Sequence, residues 1–199
     1  MTDLATNAAT LRKHLDQLPE KDRAFARSLL DAYAAGRCSE KQAHWIATLA
    51  RRASGSEPQP TAIDVAGIEA LLGRSSAKHP AILLHTNTAR PVRISVAGIK
   101  SKTPGAIMVT GTGPFETRPY YGKIMGGVFI PAAKNEPATI ASVTALLLDF
   151  SRDPAATAAA YGRSTGVCSF CARQLTDARS VGVGYGPICA DTYHLPWGE

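Results

Sequence analysis

The chain has 199 residues, 45% of them hydrophobic, enough for one sizeable domain or two small ones. No apolar run approaches the roughly eighteen residues of a membrane span, and the N-terminus MTDLATNAATLRKHLDQ lacks the layout of a signal peptide, so a cytoplasmic protein with no membrane partner is expected. The formal charge of +6 is concentrated in residues 80–134, where Arg90, Arg93, Lys100, Lys102, Arg118, Lys123 and Lys134 face only Glu116, which makes a polyanion the natural partner.

The opening dozen residues carry no strong pattern. A helical hairpin follows: Pro19 suits a helix start, Phe25, Leu29 and Tyr33 recur at helical spacing, and Gly36 can close the helix. Ser39-Glu40-Lys41-Gln42 fits a capping box ahead of an apolar stripe of Trp45, Ile46, Leu49 and Ala50, and Arg51 and Arg52 complement the helix dipole at its end. SGSEPQP, residues 54–60, reads as a linker. Asp64 can cap a short helix through Val65, Ile68, Leu71 and Leu72, closed by Gly73.

From residue 81 to about 131 the texture turns to β, in the runs AILLH, PVRISVAG, AIMVTG, YYGKI and GVFIP. Five short strands imply an antiparallel sheet or small barrel. In PVRISV the alternation sends Val92, Ile94 and Val96 to one face and Arg93 to the other. Lys100 and Lys102 flank Ser101 in the next loop, and Tyr120 and Tyr121 stand between Arg118 and Lys123. Basic groups interleaved with aromatics suit a nucleic-acid surface, charges for phosphates and rings for stacking; a solvated sheet face with core tyrosines is the plainer alternative. Helices resume after Lys134, the first capped by Thr139 and carrying Ile140, Val143, Leu147 and Phe150, the second starting at Asp153-Pro154 and ending at Gly162. His44, His79 and His85 are isolated, and Cys38 has no base beside it.

Three of the four cysteines crowd into GVCSFCARQLTDARSVGVGYGPICADTYHLPWG, residues 166–198. Cys168 and Cys171, two residues apart, can aim both thiolates at one cation while backbone N–H groups bond back to sulfur. Cys189 is expected to return on a loop or hairpin, with GYGP (184–187) forming a second knuckle. His194 would complete a Cys3His site for structural Zn2+, with Asp191 as the alternative fourth ligand. A redox dithiol would be expected beside a βαβ pattern, which is missing. Four protein ligands would leave the metal no open position, and no GxxxxGK[ST], HExxH, GxSxG or paired carboxylates occur, so nothing argues for an enzyme.

The run GVCSFCARQLTDARSVGVGYGPICA also resembles a small cysteine-containing module of unassigned function that occurs in phage and bacterial proteins, often attached to helicases or other replication proteins. The resemblance covers about 35 residues and rests on Cys168, Cys171, Arg173, Leu175, Thr176, Ser180, Gly184, Gly186, Pro187 and Cys189. Upstream, PVRISVAGIKSKTPGAIMVT, YYGKI and DPAATAAAYGRSTG are similar to a phage replication-associated (Rad-like) domain to which binding of double-stranded DNA is ascribed. That resemblance implies DNA as the polyanion and phage or host replication proteins as neighbours.

The expected architecture is α+β: an N-terminal helical hairpin (1–55), a small antiparallel β-rich domain flanked by helices (56–160) and a C-terminal zinc-binding module (161–199). The expected function is sequence-independent DNA binding, double-stranded DNA favoured, in phage replication. Arg93, Lys100, Lys102, Arg118 and Lys123 would neutralise phosphates, Tyr120 or Tyr121 would touch sugar or base, and Arg173 would add a phosphate contact or pair with Asp177. A protein-interaction adaptor and a nucleic-acid-processing enzyme are the rival readings, and the sequence leaves single strands and RNA open.

Overall fold

Chain geometry changes at the proline-containing linker, and the protein divides there into two compact units, residues 1–58 and 59–199. The computed structural model describes residues 3–56, 58–75, 80–85 and 91–197. His79 and Arg90 lie outside the described residues.

The first unit is helical. α1 (Leu4–Lys13) packs on α3 (Glu40–Ala53), and a 3₁₀ turn (Leu15–Gln17) leads into α2 (Glu20–Ala34). The hairpin of α2 and α3 is therefore completed by a helix whose two buried residues, Ala8 and Leu11, are too few to make a visible stripe. The capping box forms as expected: the Gln42 N–H donates to Ser39 Oγ and the Ser39 N–H to Gln42 Oε1, at 3.3 and 2.9 Å. α2 buries Ala26, Leu29 and Leu30 and packs Tyr33 against the same core, while Phe25 of the expected line turns outward to meet Trp45 edge-on at 5.9 Å.

The second unit is a six-stranded antiparallel sheet backed by helices. The strands are β1 (Thr61–Ala62), β2 (Ala81–Leu84), β3 (Val92–Val96), β4 (Ile107–Gly111), β5 (Tyr120–Met125) and β6 (Val128–Pro131), in the order β1-β6-β5-β4-β3-β2. β2 to β6 form a simple meander, each strand paired antiparallel with the next. Ile82, Ile94, Val109, Ile124 and Phe129 share a core with Ile68 and Leu71 of α4 (Ala66–Gly73) and with Ile140, Leu147 and Phe150 of α5 (Pro137–Arg152). The N-cap of α4 is Val65, one residue after the expected Asp64, whose Oδ1 nevertheless accepts from the Ala66 N–H at 3.1 Å. α5 begins three residues earlier than Thr139 suggests, since Glu136 is its cap and Pro137 its first residue.

Asp153 caps α6 (Pro154–Thr165), which runs past Gly162 and stops at Gly166 in the left-handed conformation. Gly162 is an interior position of close approach: a Cβ there would overlap the carbonyl of Gly184, which ends α7 (Ala178–Val183). α8 (Pro187–Tyr193) follows. Segment 161–199 is thus built into the sheet unit, with a small core of its own around Cys168, Leu175, Tyr185 and Ala190 that meets the main core through Phe170 and Leu195. No helix among the described residues is long and apolar enough to cross a membrane.

Candidate metal centre and basic face

The cysteine site starts from a tight ribbon. Val167 bridges Gln174, the Cys168 N–H donates to the Arg173 carbonyl, and the Ala172 N–H returns to the Cys168 carbonyl, both at 2.9 Å. This folds Cys168-Ser-Phe-Cys171 into a turn with both sulfurs on one side, at the cost of holding Ala172 at φ 58°. Cys189 arrives differently from the expected second knuckle. Gly184 closes α7 and Gly186 caps α8, so Cys189 rides in the first turn of a helix. The three sulfurs lie within 4.8 Å of one another, close enough for one ion with bonds of about 2.3 Å, so the cluster could hold a metal.

Its electrostatics suit that task. Cys168, wholly buried, has its pKa lowered to about 5, chiefly because the Cys189 thiol donates to it and further because the N–H groups of Cys171, Phe170 and Gly186 point at its sulfur. Cys189 is correspondingly pushed up by the thiolate beside it and by burial.

The expected fourth ligand does not join. Neither His194 nor Asp191 belongs to the cluster. At about 100° per residue, Asp191 lies roughly 200° around α8 from Cys189, and His194, exposed, sits past the helix end at φ 52°. The three sulfurs leave the fourth position of a tetrahedral site unassigned among the described residues. The sulfurs border an open pocket of about 520 Å³. Arg173 is exposed and lines this pocket rather than the one on the sheet face, while Asp177 pairs with Arg179 at 3.1 Å and caps α7 instead of pairing with Arg173. Behind α8, Trp197 donates to Ser180 Oγ at 3.2 Å and stacks under Arg179.

The other candidate surface is the sheet face opposite the helices. Arg93, Thr110 and Tyr120 form one cross-strand row, and Met108, Lys123 and Ile130 the next. Loop 112–119 brings Phe115 and Arg118 over this face, the guanidinium 5.0 Å from the ring centre. Arg93, Arg118 and Tyr120 line a pocket of about 750 Å³. Partial burial, and then the nearby Arg118 charge, hold the Arg93 guanidinium below its ordinary pKa.

The sequence reading treats Tyr120 and Tyr121 as equivalent, and the structure separates them. A bulge between Val109 and Thr110 pairs Thr110 with Tyr120 where regular alternation would give Tyr121. Tyr120 faces the pocket, while Tyr121 is only 7% exposed and belongs to the core. Gly122, at φ 153° and against the Ile130 carbonyl, permits the bulge, and Asn135 Nδ2 secures it by donating to the Tyr120 carbonyl at 2.9 Å. Lys100 and Lys102 are exposed on the tip joining β3 to β4, beside Ile99, which is 89% exposed. Sequence reasoning missed Ile99, Phe115 and Thr110, because single apolar or hydroxyl residues have no motif.

The two surfaces adjoin. The Leu83 N–H of the edge strand donates to the Ser169 carbonyl inside the cysteine turn at 2.8 Å, and a smaller cleft is lined by both Arg93 and Cys171. A model of a family of unknown function, DUF6011, matches residues 158–194, which take in most of α6, the cysteine turn, α7 and α8. No curated protein and no solved structure matches the chain.

Proposed function

We propose that the protein binds DNA independently of sequence, double-stranded DNA in preference, as a non-enzymatic component of phage replication in the host cytoplasm, with Zn2+ on Cys168, Cys171 and Cys189 as a structural ion. The observation that carries this reading is the gathering of Arg93, Arg118, Lys123 and Tyr120 on the sheet face opposite the helices, with Lys100 and Lys102 on the adjoining tip. Such a face neutralises phosphates along a backbone and releases their counterions, which needs no base-specific contact. Ile99, exposed between the strand end and the two lysines, suits an apolar contact in a groove. Zinc fits the donor set, since three thiolates within reach of one ion are soft ligands. Bound zinc would tie the cysteine turn to α8 and so steady the edge strand beside Arg93.

The test is a titration of purified protein against matched duplex and single-stranded DNA over a range of salt. The expected result is a log–log slope of about −3 to −5, matching three to five phosphate contacts at about −0.9 each. A flat dependence overturns the reading. Strand cleavage in the same samples would favour the enzyme alternative, which the three-ligand site keeps in view. The adaptor alternative is favoured by the Phe25–Trp45 pair on the helical unit, both residues more than a third exposed, and phage or host replication proteins are its partners.

A further inference from the structure

The pocket on the basic face has features that binding to a continuous phosphate backbone does not need. It is concave, with a volume of about 750 Å³ that falls within the usual range of small-molecule sites, roughly 300–1,000 Å³. Two guanidiniums, Arg93 and Arg118, reach into it, and its described lining contains no carboxylate. Arg93 donates to Ser95 Oγ at 2.8 Å, and Arg118 leans on Phe115, so both are held in place by neutral groups. Thr110 also lines it, is 5% exposed, and its buried hydroxyl has no hydrogen-bond partner. A buried hydroxyl left unpaired costs on the order of 1–3 kcal/mol, and two like charges sharing a partly desolvated pocket add to that cost. Both costs vanish when an anion with several acceptor oxygens enters. The walls identify the rest of the ligand. Met108, Tyr120 and Phe115 are apolar or aromatic, and Phe115 is 78% exposed at the rim although the Arg118 guanidinium lies over its ring.

The geometry points to a binding site for one nucleoside phosphate unit, its phosphate between Arg93, Arg118 and the Thr110 hydroxyl and its base against Phe115 and Tyr120. This deepens the basic-face reading, and rests on it for the choice of a nucleic-acid unit as ligand. The unit has two possible sources with the same chemistry: a free nucleotide, or a strand terminus carrying a 5′-phosphate. Base stacking supplies affinity that inorganic phosphate lacks, and charge-assisted hydrogen bonds supply affinity that a nucleoside lacks.

Calorimetric titration of the full-length protein with deoxyadenosine 5′-monophosphate, inorganic phosphate and deoxyadenosine tests the site. The monophosphate is expected to bind saturably, about tenfold or more tighter than either fragment. Arg93→Gln and Arg118→Gln are each expected to weaken it about tenfold or more. Thr110→Val gives the sharper result: it removes an unpaired hydroxyl without changing shape, so binding should fall several-fold while the melting temperature holds or rises. Absence of saturable monophosphate binding overturns the site, as does binding indifferent to both Arg93→Gln and Thr110→Val. Displacement of the bound monophosphate by a 5′-phosphorylated oligonucleotide, but not by its 5′-hydroxyl counterpart, assigns the strand end as source; failure of both oligonucleotides assigns the free nucleotide. Salt-dependent duplex binding with no mononucleotide binding would remove this proposal and leave the DNA reading standing. The reverse pattern would remove the DNA reading and leave the pocket.

Discussion

The cysteine turn shows how much rests on single residues. Cys171 is exposed, so replacing it removes a ligand without opening a cavity, and Cys171→Ser is expected to abolish zinc retention while the chain still folds. His194→Ala should keep one zinc per chain, because His194 lies outside the sulfur cluster; metal content of the two purified variants decides it, and loss of zinc in His194→Ala would return the histidine to the site. Ala172, the residue after Cys171, is held at φ 58°, a conformation that costs an L side chain roughly 1–2 kcal/mol and glycine nothing steric. After allowing for the greater chain entropy of glycine, Ala172→Gly should stabilise the protein by about 0.5–1 kcal/mol, read as a higher denaturation midpoint. The sequence exposes the cysteine spacing because ligands must come from a few residue types at short range. It does not expose the failure of His194, which depends on where α8 ends and which way its first turn faces.

At the scale of elements, local chemistry was legible and long-range register was not. Ser39 with Gln42 and Asp153 with Ala156 cap their helices as their side chains dictate, and Asp64 bonds the first N–H of α4, since such bonds involve neighbours only a few residues apart. The five strands of the meander are visible as β-branched runs between glycines and prolines. The two-residue β1 is too short to leave a pattern, and the bulge that sends Tyr121 inward depends on pairing with a different strand. The contact of α6 with the end of α7 is likewise silent, because its signature is two glycines 22 positions apart, Gly162 and Gly184. Gly162→Ala would drive a methyl group into the Gly184 backbone, and overpacking against backbone costs about 1–3 kcal/mol. Gly182, within α7 itself, has open space around its Cβ position, so Gly182→Ala should instead gain up to about 1 kcal/mol of helix propensity. Chemical denaturation of the pair should move in opposite directions; equal shifts would mean that α6 and α7 do not meet at Gly162.

For the whole molecule, the decisive question is how far the metal centre's influence reaches. The three cysteines lie in the unit spanning residues 59–199, and their small core shares Phe170 and Leu195 with the core beneath the sheet. The unit spanning 1–58 has a separate core, built from Leu11, Ala26, Leu29, Ile46 and Leu49. An ion that binds only the folded state stabilises whatever unfolds with its site, by about 4 kcal/mol at a thousandfold excess over its dissociation constant. For a unit of this size, that corresponds to a shift of about 10 °C. Chelation should therefore lower one melting transition by about that amount and leave the other in place. The two tryptophans allow the transitions to be assigned, because Trp45 lies in the first unit and Trp197 in the second, hydrogen-bonded to Ser180 beside the cysteine site. Melting followed by fluorescence in Trp45→Phe, which leaves Trp197 as the reporter, should show the chelator-sensitive transition, and Trp197→Phe the insensitive one. If both reporters shift together on chelation, the units unfold as one cooperative body. If neither shifts, the metal contributes no folding energy, and a structural role for zinc is excluded.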